Sequence, residues 1–152
     1  MKPKMKGILT LSLIAITFIW IGMVLGISFL EAPLKFTAPG ITTKLGVGIG
    51  QVVFQALNKV ELTLSLVVII CLLILKTTTQ IWVLYGIALV ILGLQSLYLL
   101  PILDDRVDSI LSGITPSPSY HHVAFILFEL AKILVLLSAG ITLTKSKLLK
   151  ES

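Results

Sequence analysis

The chain reads as four long apolar runs separated by short polar segments. Gly7–Leu30 is uncharged throughout. A second run ends at Leu75 and starts upstream of Val60, near Val52. The third, Gln80–Leu100, stops at Pro101, and the fourth extends from about His121 to Thr144. A helix needs about 20 mostly apolar residues to cross a hydrocarbon core of about 30 Å. Each run meets that length, so the pattern predicts an all-α integral membrane four-helix bundle. Its spans lie at about 7–30, 52–75, 80–100 and 121–144 within a single transmembrane domain, 1–152. The first run is longer than the apolar region of about 7–15 residues in a secretory signal, and no A-x-A site follows it. It is expected to be a retained helix.

The segments between the runs set the layout. Lys76-Thr-Thr-Thr-Gln80 predicts a tight turn that makes the second and third helices antiparallel neighbours. The connection from Glu31 to about Gln51 is longer and carries Pro33, Pro39, Gly40, Gly46, Gly48 and Gly50, residues that end one helix and start another. Asp104–Ser112 is expected to be a short interfacial helix, and Thr115–Ser119 a loop with Ser119 capping the last helix. Lys2, Lys4, Lys6, Lys76, Lys145, Lys147 and Lys150 fall on one side, against Lys35, Lys44, Lys59 and Arg106 near the other. The excess of positive charge marks the cytoplasmic side. That predicts an N-in/C-in protein of the plasma (inner) membrane with Asp104, Asp105 and Asp108 outside.

Composition agrees with the pattern. The chain is 57% hydrophobic and only 12% charged, with mean hydropathy +1.08. A soluble domain averages about 25% charged residues. A disordered chain, a nucleic-acid-binding basic domain and an ordinary soluble enzyme are excluded. The lone Cys71 sits inside an apolar run and permits no disulfide or CxxC pair, so thiol–disulfide chemistry is excluded as well.

Small residues suggest where helices meet. Gly22 and Gly26 form a GxxxG, and Gly86 and Gly93 share a face seven residues apart. Such positions let helix backbones approach closely in lipid. Contact within the monomer is expected first, with a homo-oligomer as the other outcome. Gly46-Val-Gly-Ile-Gly50 lacks the strand and βαβ unit of a nucleotide loop.

Ionisable groups inside spans are costly and point to function. Glu129 lies about 12 Å along the last helix from His121, and Lys132 about 4.5 Å further. Glu129 and Lys132 are three apart on one face, which His122 shares and His121 does not. Gln51, Gln55, Asn58 and then Glu61 or Ser65 make a stripe on the second helix. Gln95 and Tyr98 sit on the third helix, and Ser28 and Glu31 close the first. The candidate polar pocket in the outer half is therefore Glu31, Gln51, Gln55, Asn58, Glu61, Gln95, Tyr98, Asp104, His122, Glu129 and Lys132. The same residues also serve as ordinary glue between membrane helices.

No metal set is read from these residues. Adjacent histidines cannot reach one ion from a regular helix, no HExxH or ExxH occurs, and Lys132 stands where a di-iron helix has His. No G-x-S-x-G, triad order or phosphate loop supports hydrolase chemistry. The cofactor is unknown.

Four segments carry a resemblance: Phe29-Leu-Glu-Ala-Pro-Leu-Lys-Phe-Thr-Ala-Pro-Gly-Ile-Thr42, Gly48-Ile-Gly-Gln-Val-Val-Phe-Gln-Ala-Leu-Asn-Lys-Val-Glu61, Leu100-Pro-Ile-Leu-Asp-Asp-Arg106 and the His122…Glu129 helix. The chain resembles a family of small uncharacterised bacterial four-span membrane proteins. It is more remotely similar to the transmembrane protein 205-like group, in which an Ala-Pro-type loop follows the first span and a His opens the last. The resemblance implies a four-helix membrane fold, an unassigned activity and no catalytic residue.

The expected function is a small binding or transport-type membrane protein with a polar, outward-facing pocket. Its rivals are a membrane enzyme acting on a lipid or quinone headgroup and a structural subunit or scaffold. The expected partners are the lipid bilayer and, for an oligomer, a second copy; nucleic acid is excluded.

Overall fold

A computed structural model describes residues 2–151. The side chains of Lys147 and Lys150, two of the lysines that bear on orientation, lie outside the described residues. Four long helical rods make the molecule all-α. Their apolar lengths, first to fourth, are Lys4–Thr37, Thr43–Leu75, Thr79–Leu111 and His121–Ser146, each long and apolar enough to cross a membrane. The first packs on the second and the fourth, the fourth on the third, and the C-terminal part of the third on the second. The two termini and the tight turn at Lys76 occupy one end, the terminal end. The connections around residues 38–42 and 112–120 occupy the other, the loop end.

The spans are longer than the sequence pattern predicts. Thirty-three residues of helix rise about 50 Å, well beyond a hydrocarbon core of about 30 Å. Gly46, Gly48 and Gly50 do not break a helix. The second helix starts at Thr43, with the Thr42 hydroxyl accepting a hydrogen bond from the Leu45 amide at 3.2 Å. Two of its glycines are clearances instead. A Cβ at Gly46 would collide with the Phe36 ring, and one at Gly50 would stand 2.9 Å from the Lys35 ammonium.

Pro33 and Pro101 do not end their helices either. Each follows a π-helical stretch, Leu25–Glu31 in the first helix and Gln95–Leu99 in the third. Proline removes one N–H and crowds the carbonyl four residues back. A wider turn just ahead of it absorbs that crowding, and π-turns of this kind gather at functional sites. The segment expected to be a separate interfacial helix, Asp104–Ser112, is thus the continuation of the third helix through Leu100–Leu111. That helix closes at Gly113 with φ 85°, where the Gly113 amide bonds Ile110 O at 3.0 Å and the Ile114 amide bonds Ser109 O at 2.9 Å. This double bond pattern satisfies the last carbonyls and needs the left-handed residue that glycine supplies.

The terminal half holds an apolar core. Leu13, Val68, Leu72, Ala88, Leu136 and Ala139 are fully buried there, and Cys71 is buried among them as a small hydrophobe. The Thr17 and Tyr85 hydroxyls, also buried, bond to each other. Gly140 provides the close approach of the fourth helix to the first, since a Cβ there would lie 3.0 Å from the Phe18 ring. The expected glycine contacts are corrected. A Cβ at Gly22, Gly26, Gly86 or Gly93 would meet nothing within 4 Å, so these glycines are not where helices of this chain touch. The outer surface of the bundle is apolar, with Leu11, Ile19, Leu66, Leu73, Val90 and Leu134 all at least half exposed. An aqueous surface would not tolerate such continuous apolar exposure, but lipid does.

Candidate functional site

Each helix sends a polar side chain to one buried point. The first gives Trp20, the second Glu61, the third Gln95, and the fourth both Glu129 and Lys132. None is more than 3% exposed. The Lys132 ammonium lies 2.5 Å from Glu61 Oε1, 2.8 Å from Gln95 Oε1 and 3.4 Å from Glu129 Oε1. Trp20 Nε1 donates to Glu61 Oε1 at 2.7 Å, and Gln95 Nε2 donates to Glu129 Oε1 at 3.1 Å. Sequence spacing leaves open whether Lys132 pairs with Glu129 or with another helix; the structure has it do both. An ammonium has three protons. With those three aimed at Glu61, Gln95 and Glu129 Oε1, none remains for Glu129 Oε2. That atom lies 3.3 Å from Lys132 Nζ, yet it is buried without a hydrogen-bond donor.

Two carboxylates face one ammonium in this network. Buried charge is tolerated when it is compensated. A proton or a cation must therefore accompany the set when both carboxyls would otherwise be ionised.

Glu129 also lines a cavity of about 610 Å³ that extends toward the loop end. Its walls are mostly apolar, with Phe36, Phe54, Phe125, Leu100, Leu103 and Ile126 among them. Polar groups on the wall are Ser28, Lys35, Gln51, Asp104, Arg106 and His122. Ser28 comes from the first π-helical stretch, and its hydroxyl is a second buried atom without a partner. Gln95 opens the second π-helical stretch. Both irregular turns therefore present a polar side chain to the cavity or to the network beneath it.

The expected pocket residues separate into three groups. Glu61, Gln95, Glu129 and Lys132 converge in the buried network. A second set ties helices together nearer the loop end. Gln51 Nε2 donates to Asp108 Oδ1 at 3.0 Å, Gln55 Nε2 to Asp104 Oδ2 at 2.9 Å, and Asn58 Nδ2 to Ser96 Oγ at 2.6 Å. Gln51 and Asp104 line the cavity while so engaged, and Glu31 holds Lys35 at 3.3 Å. His122 stands on the cavity wall, more exposed. Tyr98 is the exception. It is 58% exposed on the outside of the bundle, with its ring against His121, and contributes nothing to the pocket. Ser119 Oγ accepts a bond from the His121 amide at 3.2 Å, but the first helical bond runs from the Ala124 amide to the Tyr120 carbonyl, so Tyr120 and not Ser119 holds the N-cap position.

Spacing and charge in the sequence do not single out Trp20, Lys35 or the aromatic wall. Trp20 carries a signal all the same, since a buried indole N–H needs an acceptor. Lys35 reads in sequence only as a flanking charge, and the cavity phenylalanines are indistinguishable there from lipid-facing ones. Among the described residues, no group of three His, Cys, Asp or Glu side chains is placed to hold a metal ion. No protein family, curated protein or solved structure matches the chain. The site's chemistry therefore rests on its own geometry.

Proposed function

We propose that this multi-pass membrane protein binds a small molecule in the loop-end cavity and is of the binding or transport type. The cavity faces outward from the plasma membrane, with both termini cytoplasmic. One observation carries the reading: Glu129 Oε2, buried at the cavity wall, accepts no hydrogen bond and has only the ion-pair contact with Lys132 at 3.3 Å. A buried acceptor without a partner costs about 1–3 kcal/mol, and more when charged. A ligand N–H or O–H removes that cost. A purely structural network needs the Lys132–Glu61 pair but has no use for a 610 Å³ space beside it. The buried side chains from Leu13 to Leu143 close the terminal half, which fits a carrier or receptor site rather than an open pore.

The test is thermal unfolding of the purified protein against a panel of small amphipathic solutes, cationic, neutral and anionic. A ligand that binds only the folded state at about 100 times its Kd adds about 2.7 kcal/mol. At least one solute is expected to raise the wild-type Tm and to leave folded Glu129→Gln unmoved. In liposomes, flux of that solute is expected to vanish with the same substitution. A panel with no stabilising member, or equal stabilisation of both proteins, overturns the reading.

A further inference from the structure

If the cavity is a binding site, as proposed, its residues also define the class of ligand. Its wall and the network below it hold the cations Lys35, Arg106 and Lys132. They hold the carboxylates Asp104, Glu61 and Glu129, while Glu31 pairs with Lys35 from outside the cavity lining. In the buried network itself, two acids face one base. Two of the three cations are held by the chain's own carboxylates, Lys35 and Lys132. Lys35 pairs with Glu31 at 3.3 Å, Arg106 Nη1 donates to Ser117 O at 2.8 Å, and Lys132 is spent on the network. At the cavity, the buried carboxylate atom that accepts no hydrogen bond is Glu129 Oε2.

The walls around it suit a cation with an apolar body. Phe54 and Phe125 meet edge to face with ring centroids 5.6 Å apart. The Lys35 ammonium already stands 5.7 Å from the centroids of both Phe36 and Phe54. An ammonium within about 6 Å of a ring centroid is attracted by the ring face. The chain's own ammonium takes that place, so Phe54 and Phe125 offer a ligand apolar contact. Deeper in, Phe125, Ile126 and Leu100 offer apolar contact, and the Ser28 hydroxyl is a spare polar partner.

We infer that the cavity takes a lipophilic amine in its ammonium form, its N–H donating to Glu129 Oε2 and its apolar body lying among Phe54, Phe125 and Ile126. The bound cation supplies the positive charge that the two-carboxylate, one-ammonium network lacks. An anion of the same shape meets the Glu129 carboxylate and is repelled. A neutral alcohol donates one hydrogen bond but leaves the charge uncompensated.

Three probes of one shape separate these cases: 2-phenylethylammonium, 2-phenylethanol and 3-phenylpropanoate. Their retention by the full chain in lipid nanodiscs is measured by equilibrium dialysis. Wild type is expected to retain one equivalent of the amine per chain, at least tenfold more tightly than the other two. Glu129→Gln is expected to lose at least tenfold. Ile126→Trp fills the cavity without touching the charge network and is expected to lose a similar factor, which keeps the result readable if Glu129→Gln fails to fold. Tighter binding of the alcohol or the carboxylate, abolished by Ile126→Trp, overturns the amine assignment while leaving the cavity a binding site. Retention of no probe, or amine retention unaffected by both variants, overturns the amine assignment too, and it removes the support for the binding reading as well.

Discussion

Lys132 is the residue on which the buried network turns. It is fully buried, and its three protons meet groups from two neighbouring helices and from its own. Removing one partner of a buried ion pair costs about 3–5 kcal/mol, because the charge left behind is uncompensated. Lys132→Met is therefore expected to destabilise the protein by about that amount in denaturant unfolding, since it strands two carboxyl groups. Adding Glu61→Gln to Lys132→Met removes one of them. The double variant is expected to be more stable than Lys132→Met alone. If the second change costs further stability, Glu61 does not depend on Lys132 for its place in the core. The sequence displays Glu129, Lys132 and Glu61 plainly, because charge inside an apolar run stands out. It does not display how the second and fourth helices rotate them toward one another, since an i,i+3 spacing fixes a face but not what that face meets.

At the scale of elements, two prolines decide the shape of the site. Read from sequence, Pro33 and Pro101 are stop signals, and isolated helices obey that rule. In the bundle, each is tolerated by the π-helical stretch before it, and the packing of the outer segments offsets the irregularity. A π-turn holds one residue more than an α-turn, so everything beyond it is rotated by about 100° from the regular register. That rotation places Asp104 on Gln55 and Asp108 on Gln51. Pro101→Ala restores the N–H and removes the need for the wide turn. The outer segment is then expected to rotate back, separating Gln55 from Asp104. A short thiol cross-linker between Gln55→Cys and Asp104→Cys, in a Cys71→Ser background, reads this directly. Cross-linking is expected to be efficient with Pro101 and to fall severalfold with Pro101→Ala. Equal yields would mean that the π-stretch is held by its surroundings and not by the proline. Span lengths are illegible in sequence for the same reason, because proline and glycine look like punctuation whatever packs around them. Here Gly46 and Gly50 make room for Phe36 and Lys35 inside a continuous helix.

For the whole molecule, four-span architecture is legible from composition because the bilayer demands long apolar helices with every backbone group paired internally. Orientation is a separate matter, set by charge at the ends of the spans. Seven basic residues lie toward the terminal end, among them Lys76 in the tight turn, against Lys35, Lys44 and Arg106 toward the loop end, while Lys59 sits midway along the second helix. The loop end instead carries Asp104, Asp105 and Asp108 beside Arg106. Lys and Arg excess in short flanks holds a segment on the cytoplasmic side. The cavity lies toward the other end, so under the proposed binding role orientation decides whether a ligand arrives from outside or from the cytosol. Two exposed positions report it, Ser112 at the loop end and Thr78 at the terminal end. With Cys71→Ser as background, Ser112→Cys is expected to react with a membrane-impermeant maleimide in intact cells, and Thr78→Cys only after lysis. The reverse pattern would place the Glu129 cavity on the cytosolic side, and any flux would then have to be read as export from the cell.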